Sequence, residues 1–224
     1  MTCIFRTLFW LVLGSQLPAA EVDGAVDWMK PLKGSLSALV IPGTHDSGAI
    51  HGSVYARCQS QTIAQQLSSG VRFLDVRCRH LKDDFHIFHG SSDQKQRFVE
   101  VLETCSAFLK KHPSECIVMS IKEESSAQGN SRKFGETYQA LIKPYRKLWY
   151  EENKVPALKD VRGKIVVVSR NREVEGISWK SLNVQDQYRV SGAAEIRKKW
   201  KFFENHIKTS HTKSKANLWS VNFA

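Results

Sequence analysis

The sequence lacks several features that would assign it to an easily recognised class. It contains no internal repeat and no low-complexity segment, which excludes repeat architectures and compositionally biased tails. It has no run of five or more like charges, and its basic residues are mixed with acidic ones, which argues against a dedicated nucleic-acid arm. After residue 20, no apolar run is long enough to cross a bilayer, so no transmembrane segment is expected.

Cysteine is also scarce. Four cysteines follow the N-terminal segment, and they are Cys58, Cys78, Cys105 and Cys116. Their spacings fit no zinc motif. In an oxidising compartment they could form up to two disulfides with three possible pairings, or they could be buried free thiols. The sequence leaves these alternatives open.

The chain does have enough apolar residues for one core of ordinary size. It has 224 residues, of which 42% are hydrophobic, so a single domain is expected. Its net charge of +11, from 33 Lys and Arg against 22 Asp and Glu, attracts anions such as acidic lipid surfaces or phosphorylated substrates. We expect no nucleic-acid partner.

Residues 1–20 have the pattern of a secretory signal peptide. Arg6 supplies the positive charge, Leu8 to Leu13 form the apolar core, and Ala19 and Ala20 provide small residues for cleavage. We therefore expect a secreted protein whose mature domain comprises residues 21–224. The alternative is an amphipathic or buried N-terminal helix.

Apolar runs that resemble buried strands alternate with helical patterns along the chain. The runs are residues 36–41, 71–76, 85–88, 116–121, 164–169 and 218–223. Helical patterns cover residues 63–67, 98–109 and 134–149, and Pro144 is expected to kink or split the last one. This alternation predicts an α/β fold of parallel βα units, either a barrel or an open doubly wound sheet.

Titratable side chains follow three of these runs. His45 and Asp46 follow the first, Asp75 and Arg77 end the second, and His89 ends the third. Parallel sheets place their chemistry at the carboxyl ends of their strands. One imidazole can be neutral while its partner is protonated, and a guanidinium can pair with phosphoryl oxygens. The pattern predicts a metal-free acid–base site for a phosphate ester.

Eight segments resemble the X-domain of bacterial-type phosphatidylinositol-specific phospholipase C, in the order of that family. They are IPGTHDSG at 41–48, GVRFLDVR at 70–77, HG at 89–90, FLKKHPSE at 108–115, IVMSIK at 117–122, VRGKIVVV at 161–168, VQDQY at 184–188 and LWSVNF at 218–223. The resemblance implies a distorted (β/α)8 barrel. It also implies cleavage by attack of the inositol 2-hydroxyl on phosphorus, which releases diacylglycerol and a cyclic inositol phosphate.

The resemblance assigns roles to nine residues. His45 matches the general base, His89 the general acid, and Asp46 a group that assists His89 or the leaving group. Arg77 matches the residue that neutralises the phosphate, and Asp75 the residue that holds Arg77 and His45. The positions that match inositol-binding residues are Lys122, Arg170, Asp186 and Tyr188.

No metal and no other cofactor is expected. Calcium-dependent relatives hold the metal with acidic and amide ligands and usually have Asn where this chain has Asp46. Here Arg77 supplies a cation of its own, which leaves little need for Ca²⁺.

The barrel of the family continues beyond the segment that resembles residues 218–223, with two further strands and an aspartate that orients the base histidine. The expectation is therefore a barrel that lacks its last two strands, with uncertain activity. One alternative is an impaired module that binds phosphoinositide headgroups. Another is a metal-dependent barrel phosphodiesterase of the glycerophosphodiester or sphingomyelinase D kind, which would need acidic ligands where Arg77 stands.

The expected partner is a membrane surface that contains phosphatidylinositol or a glycosylated phosphatidylinositol anchor, contacted peripherally. Exposed aromatic residues near lysines provide such contacts in other proteins. The candidates are Trp149–Tyr150 and the segment from Trp200 to Phe203.

Overall fold

The computed structural model describes residues 26–212 and 218–223. The predicted signal peptide at 1–20 lies outside the described residues. The fold is α/β, as predicted, and is built on one large sheet and one small sheet.

The large sheet has eight strands. They are β1 Gly43–Thr44, β2 Phe73–Leu81, β3 Asp84–His89, β4 Ser92–Arg97, β5 Ile117–Glu123, β6 Trp149–Tyr150, β7 Ile165–Ser169 and β8 Ile177–Ser178. Their order is β4-β3-β2-β5-β7-β6, with β1 paired to β2 and β8 paired to β7. The small sheet pairs β9 (Asn183–Gln185) with β10 (Ser220–Asn222) in parallel.

Five α-helices accompany the sheets. They are α1 Ile63–Ser68, α2 Phe98–Lys111, α3 Phe134–Ile142, α4 Leu158–Val161 and α5 Ala193–Thr212. Short 3₁₀ helices cover Leu36–Ala38, Lys143–Leu148 and Trp179–Ser181. The predicted split near Pro144 is confirmed, because α3 ends at Ile142 and Pro144 lies in the first turn of the following 3₁₀ helix.

The three central strands bury apolar side chains on both faces, as parallel strands covered on both sides require. Along β5, Ile117 and Met119 face one core, which α2 and α3 complete, whereas Val118 faces a second core. The second core contains Leu36, Leu158 and other residues from the connections. This double burial fixes the register of the central strands, since a shift of one residue would exchange the two faces.

The direction of β3 differs from the prediction of parallel βα units. β2 does not end at Arg77 but runs on to Leu81, turns through Lys82 and Asp83, and returns as the antiparallel strand β3. Both turn residues have positive φ angles (48° and 58°), as the tight turns of hairpins require. β4 then extends the antiparallel edge.

The predicted strand at residues 36–41 is also wrong. Leu36–Ala38 form a 3₁₀ helix that Ser35 caps, and the first strand begins later, at Gly43. A β-carbon at Gly43 would lie 2.9 Å from Cβ of Phe73, so glycine allows β1 to approach β2.

The strands of the described residues form an open sheet, because the edge strands β4 and β6 do not pair with each other. The expectation that two further strands are missing stays a prediction. All four cysteines of the described residues are free thiols, and only Cys58 is partly exposed. Among these residues, no helix is long and apolar enough to span a membrane.

Candidate active site

The first histidine lies in a turn that is fastened to β2. The N–H of Ser47 donates to the carbonyl oxygen of Asp75 at 2.9 Å, and Oγ of Ser47 accepts from the N–H of Asp75 at 2.8 Å. On the side of β3, a β-carbon at Gly48 would lie 2.7 Å from Cγ2 of Ile87. The turn is thus held closely against both strands, which places His45 and Asp46 beside them.

Asp46 lies between the two predicted catalytic histidines. Its Oδ2 atom is 3.2 Å from Nε2 of His45 and 3.7 Å from Nε2 of His89. The residue is only 2% exposed and has a φ of 45°, in the left-handed region that aspartate tolerates better than most residues. Burial raises the pKa of Asp46 to about 6, although Arg77 opposes that change.

Arg77 joins the two aspartates and His45. Its Nε and Nη2 atoms donate to Oδ2 of Asp75 at 3.1 and 3.0 Å, and Nε lies 3.1 Å from Oδ1 of Asp46. Burial acts to lower the pKa of Arg77, but the negative charges of Asp75 and Asp46 raise that pKa by more than burial lowers it. The net shift is therefore upward. The guanidinium is therefore a permanent cation in the site.

His45 is in the protonation state that a general base needs. Nη2 of Arg77 donates to Nε2 of His45 at 2.8 Å, and because a guanidinium can only donate, Nε2 must carry a lone pair. Burial, followed by the charge of Arg77, lowers the pKa of His45. The edge of the imidazole also packs against Phe223, with ring centroids 5.7 Å apart.

The hairpin of β2 and β3 brings His89 back beside Arg77 and Asp46. Ile87 pairs with Cys78, so His89, two residues further along β3, lies beside the part of β2 that contains Arg77. Nδ1 of His89 is 3.0 Å from the carbonyl oxygen of Ala56, which can only accept, so Nδ1 carries a proton and Nε2 faces Asp46. Thus His89 reaches the site although β3 does not run parallel to β2.

Two of the four predicted inositol-binding residues border this cluster. Lys122, near the end of β5, stands opposite Arg77 in the parallel pairing of β5 with β2. Arg170 follows β7, and its Nη1 atom is 3.4 Å from Oδ1 of Asp75 while its guanidinium lies 4.2 Å from the centre of the Trp179 ring. The predicted link from Asp75 to His45 runs through Arg77, which contacts both.

The other two predicted inositol-binding residues follow β9 and are exposed. The charge of Asp186 acts to raise the pKa of His45, against the larger effects of burial and Arg77. Tyr188 is 68% exposed, and its ring lies 5.8 Å from the guanidinium carbon of Arg189. The structure thus brings Lys122 and Arg170 into the cluster, whereas no hydrogen bond or ion pair among the described residues joins Asp186 or Tyr188 to it.

The sequence analysis missed Glu124. Its Oε2 atom is 2.6 Å from Nζ of Lys122 and 3.9 Å from Nη1 of Arg77, and its Oε1 atom accepts from the N–H of Gly90 at 3.0 Å. Burial acts to raise the pKa of Glu124, but the bonds from Lys122 and Gly90 outweigh it, and the net shift is downward. The available signal was the acidic pair Glu123–Glu124, which follows Lys122 after the buried run at 116–121.

Cys58 was also missed as a neighbour of the site. Its Sγ atom is 3.7 Å from Nδ1 of His89, and burial and the charge of Asp46 raise the pKa of the thiol. One donor atom each of His45, Asp46 and Cys58 lie within 4.8 Å of one another. Arg77 nevertheless occupies the space between the carboxylates of Asp46 and Asp75, where a hard cation such as Ca²⁺ would find its oxygen ligands.

Comparisons with known proteins agree with this geometry. Residues 32–171 match the family described as phosphatidylinositol-specific phospholipase C, X domain. A 1-phosphatidylinositol phosphodiesterase of Listeria monocytogenes is 32% identical, with a match that covers 97% of this chain and 75% of the relative.

Solved structures agree as well. A phosphatidylinositol-specific phospholipase C from Staphylococcus aureus that carries a pentafluoro-phenylalanine superposes with a TM-score of 0.80 at 27% identity, over 90% of this chain and 78% of the other. A second structure of the Staphylococcus aureus enzyme, from work on the modulation of its membrane binding, superposes with a TM-score of 0.79 at 26% identity, again over 90% of this chain and 78% of the other. With the match over residues 32–171 and the Listeria relative, these likenesses show that the chain belongs to the phosphatidylinositol-specific phospholipase C X-domain family.

Proposed function

We propose that the protein is a phosphatidylinositol-specific phospholipase C that cleaves its substrate by metal-free acid–base catalysis. The observation that carries this proposal is the arrangement of two imidazoles around one carboxylate, with Nε2 of His45 and Nε2 of His89 both near Oδ2 of Asp46. The substrate is phosphatidylinositol or a glycosylated phosphatidylinositol anchor. The products are diacylglycerol and a cyclic inositol phosphate.

His45 is the base in this proposal. Its Nε2 lone pair accepts the proton of the inositol 2-hydroxyl as that oxygen attacks phosphorus. In the free protein the same lone pair accepts a hydrogen bond from Arg77. A bound phosphate competes for the guanidinium, and the transfer of that hydrogen bond to a phosphoryl oxygen would free the lone pair. Substrate binding and activation of the base are thereby linked.

His89 is the acid. In its protonated form, Nε2 donates a proton to the glycerol oxygen as the bond between that oxygen and phosphorus breaks. Oδ2 of Asp46 lies 3.7 Å from Nε2 of His89, so the carboxylate adjoins the nitrogen that transfers the proton. The proton taken up by His45 and the proton released by His89 balance, so no proton is gained or lost in the cleavage.

Arg77 holds the phosphate and stabilises the charge that develops on it. Asp75 and Asp46 fix the guanidinium before substrate arrives, so little reorganisation is needed in the transition state. Lys122, Arg170, Asp186 and Tyr188 are proposed to bind the inositol ring.

The membrane contact is proposed to be peripheral. The predicted candidates Trp149 and Tyr150 are wrong, because both side chains are buried in the core. Trp200 on α5 remains a candidate at 59% exposure, and Tyr55, which is 90% exposed, adds a second one near the turn of His45. Together with the net charge of +11, these side chains suit an anionic lipid surface. Secretion is proposed from the pattern of residues 1–20.

A substrate analogue tests the proposal directly. Phosphatidylinositol whose inositol 2-hydroxyl is methylated has no nucleophile, so we expect no release of diacylglycerol from it in EDTA, whereas the unmodified lipid is cleaved. Release of diacylglycerol from the methylated analogue would show attack by water and would contradict the intramolecular mechanism. If neither lipid is cleaved but both bind, the protein is a headgroup-binding module.

A further inference from the structure

Three donor side chains lie around one carboxylate oxygen at the candidate active site, and together with that oxygen they offer the four ligand atoms of a typical zinc site. They come from His45, Asp46, Cys58 and His89, and imidazole, carboxylate and thiolate are the ligands that Zn²⁺ takes in proteins. One donor atom each of the first three residues lie within 4.8 Å of one another. His89 adjoins them, 3.7 Å from Asp46 and, through its other ring nitrogen, 3.7 Å from Cys58.

The separations suit a metal with four short bonds. Tetrahedral coordination with bonds of about 2.0–2.3 Å places ligand atoms about 3.3–3.8 Å apart. Oδ2 of Asp46 is 3.2 Å from Nε2 of His45 and 3.7 Å from Nε2 of His89. Sγ of Cys58 lies 3.7 Å from Nδ1 of His89, so its side chain must turn toward Nε2 for all four residues to reach one ion.

The central oxygen accepts no hydrogen bond in the described part of the chain. Asp46 is 2% exposed, and its Oδ2 atom has no hydrogen-bond partner among the described residues, although buried carboxylate oxygens normally have one. Arg77 approaches the other oxygen, Oδ1, at 3.1 Å. A ligand for Oδ2 can therefore leave Arg77 on Asp46 and Asp75, and a metal that also takes Nε2 of His45 displaces only the hydrogen bond from Arg77 to that nitrogen.

His89 is already oriented as a metal ligand. Its Nδ1 atom is 3.0 Å from the carbonyl oxygen of Ala56, and a ligating histidine commonly uses its other nitrogen in this way, which leaves Nε2 for the metal. The site is also reachable, because Cys58 lines an open cavity of about 450 Å³ together with Arg57 and Gln59. His45 adds a half-exposed imidazole.

We propose that His45, Asp46, Cys58 and His89 form a zinc-binding site whose occupation inhibits the enzyme. Zinc replaces the proton of the Cys58 thiol and the Nε2 proton of protonated His89, both of which are released to solvent, and takes the Nε2 lone pairs of both histidines. Neither histidine can then transfer a proton. The inhibition rests on the proposed function, whereas the binding of zinc does not. Sulfur and nitrogen donors select zinc over Ca²⁺ and Mg²⁺, which prefer oxygen.

Direct metal binding provides the test. The full chain is freed of metal with EDTA, the EDTA is removed, and zinc is titrated into it by calorimetry. Cobalt(II) replaces zinc in a parallel titration, because a thiolate ligand gives cobalt a charge-transfer absorption band. We expect one tightly bound zinc per chain and a thiolate–cobalt band. Cys58→Ser should remove the band and weaken zinc binding by about tenfold or more, and His86→Gln, outside the cluster on β3, should change neither.

The outcomes separate the site from the catalytic proposal. Folded protein that binds no zinc, or a thiolate–cobalt band that persists in Cys58→Ser, would overturn the site. Loss of lipid cleavage at one equivalent of zinc, restored by EDTA, supports the inhibition, and full cleavage by the zinc-loaded protein overturns it. If zinc binds through Cys58 but the EDTA-treated protein cleaves no phosphatidylinositol, the site stands and the proposed function fails.

Discussion

The two sheets contribute different kinds of residue to the candidate site. The large sheet and the turn fastened to it hold Asp46, Asp75 and Arg77, which are largely buried and joined by hydrogen bonds and ion pairs. The small sheet is followed by Asp186 and Tyr188, which are exposed. The groups that would act on the phosphate are therefore held rigidly before substrate binds, whereas the groups that would meet the inositol ring are not. This difference predicts that substitutions in the two regions change different kinetic constants.

The largest effect is expected from the two histidines. His45→Ala and His89→Ala should each lower kcat for phosphatidylinositol cleavage by about 10²–10⁴-fold, because each removes a proton-transfer group. Steady-state kinetics in EDTA measures this loss. His86→Ala is the matched control, because His86 lies on β3 outside the cluster and should retain the activity of the unmodified protein. Equal losses in His86→Ala and His89→Ala would show that the effect comes from the strand and not from the acid.

Asp46→Asn should separate activity from stability. The pKa of Asp46 is about 6 in the folded protein against an ordinary value of 3.8. Its contribution to stability is therefore complete below pH about 4 and is lost as the pH rises through about 6. At pH 7 the buried, ionised carboxylate lowers the free energy of unfolding by about 1–3 kcal/mol. Asparagine carries no charge and so avoids this cost, and it tolerates the same positive φ. Activity should fall, because His89 loses its charged neighbour.

Urea unfolding at pH 7 and pH 4 measures this prediction. The variant should be more stable than the unmodified protein at pH 7, and the advantage should shrink at pH 4, where Asp46 is protonated. The exposed Asp93→Asn provides the control for loss of one negative charge. A variant that is less stable at pH 7 would show that the ion pair with Arg77 outweighs the cost of burial.

Tyr188→Ala should give the smallest effect. Because the ring is exposed, its loss should raise KM by about 2–10-fold, as expected for one aromatic contact, with kcat and thermal stability unchanged. Kinetics with vesicles of fixed composition measures the change. A loss of kcat comparable with that of His45→Ala would remove the distinction between the two sheets.

The sequence predicted which residues of the candidate site lie together better than it predicted the path of the chain. Asp75 and Arg77 stand two residues apart on one strand, so they share a face whatever the strand does next. The direction of β3 was wrong, because an apolar run does not reveal whether it pairs in parallel or returns as a hairpin. Strand β4 was missed because it is a polar edge strand without an apolar run.

The partners of the cluster could not be found from motifs alone. Cys58 reaches His89 through the fold of the segment after the first turn, and no local spacing relates the two residues. Glu124 could have been noticed after β5, but its role depends on contacts with Arg77 on β2 and with Gly90 in the turn after β3. Helix α5 was not predicted, since lysines interrupt its apolar residues.

Phosphorus NMR of the purified protein with phosphatidylinositol vesicles in EDTA tests the central claim most directly. We expect the resonance of a cyclic phosphodiester to grow as that of the lipid falls, and we expect no such resonance with His45→Ala. An acyclic inositol phosphate as the first product, or cleavage that stops in EDTA and returns with a divalent cation, would contradict the metal-free mechanism built on His45, His89 and Arg77.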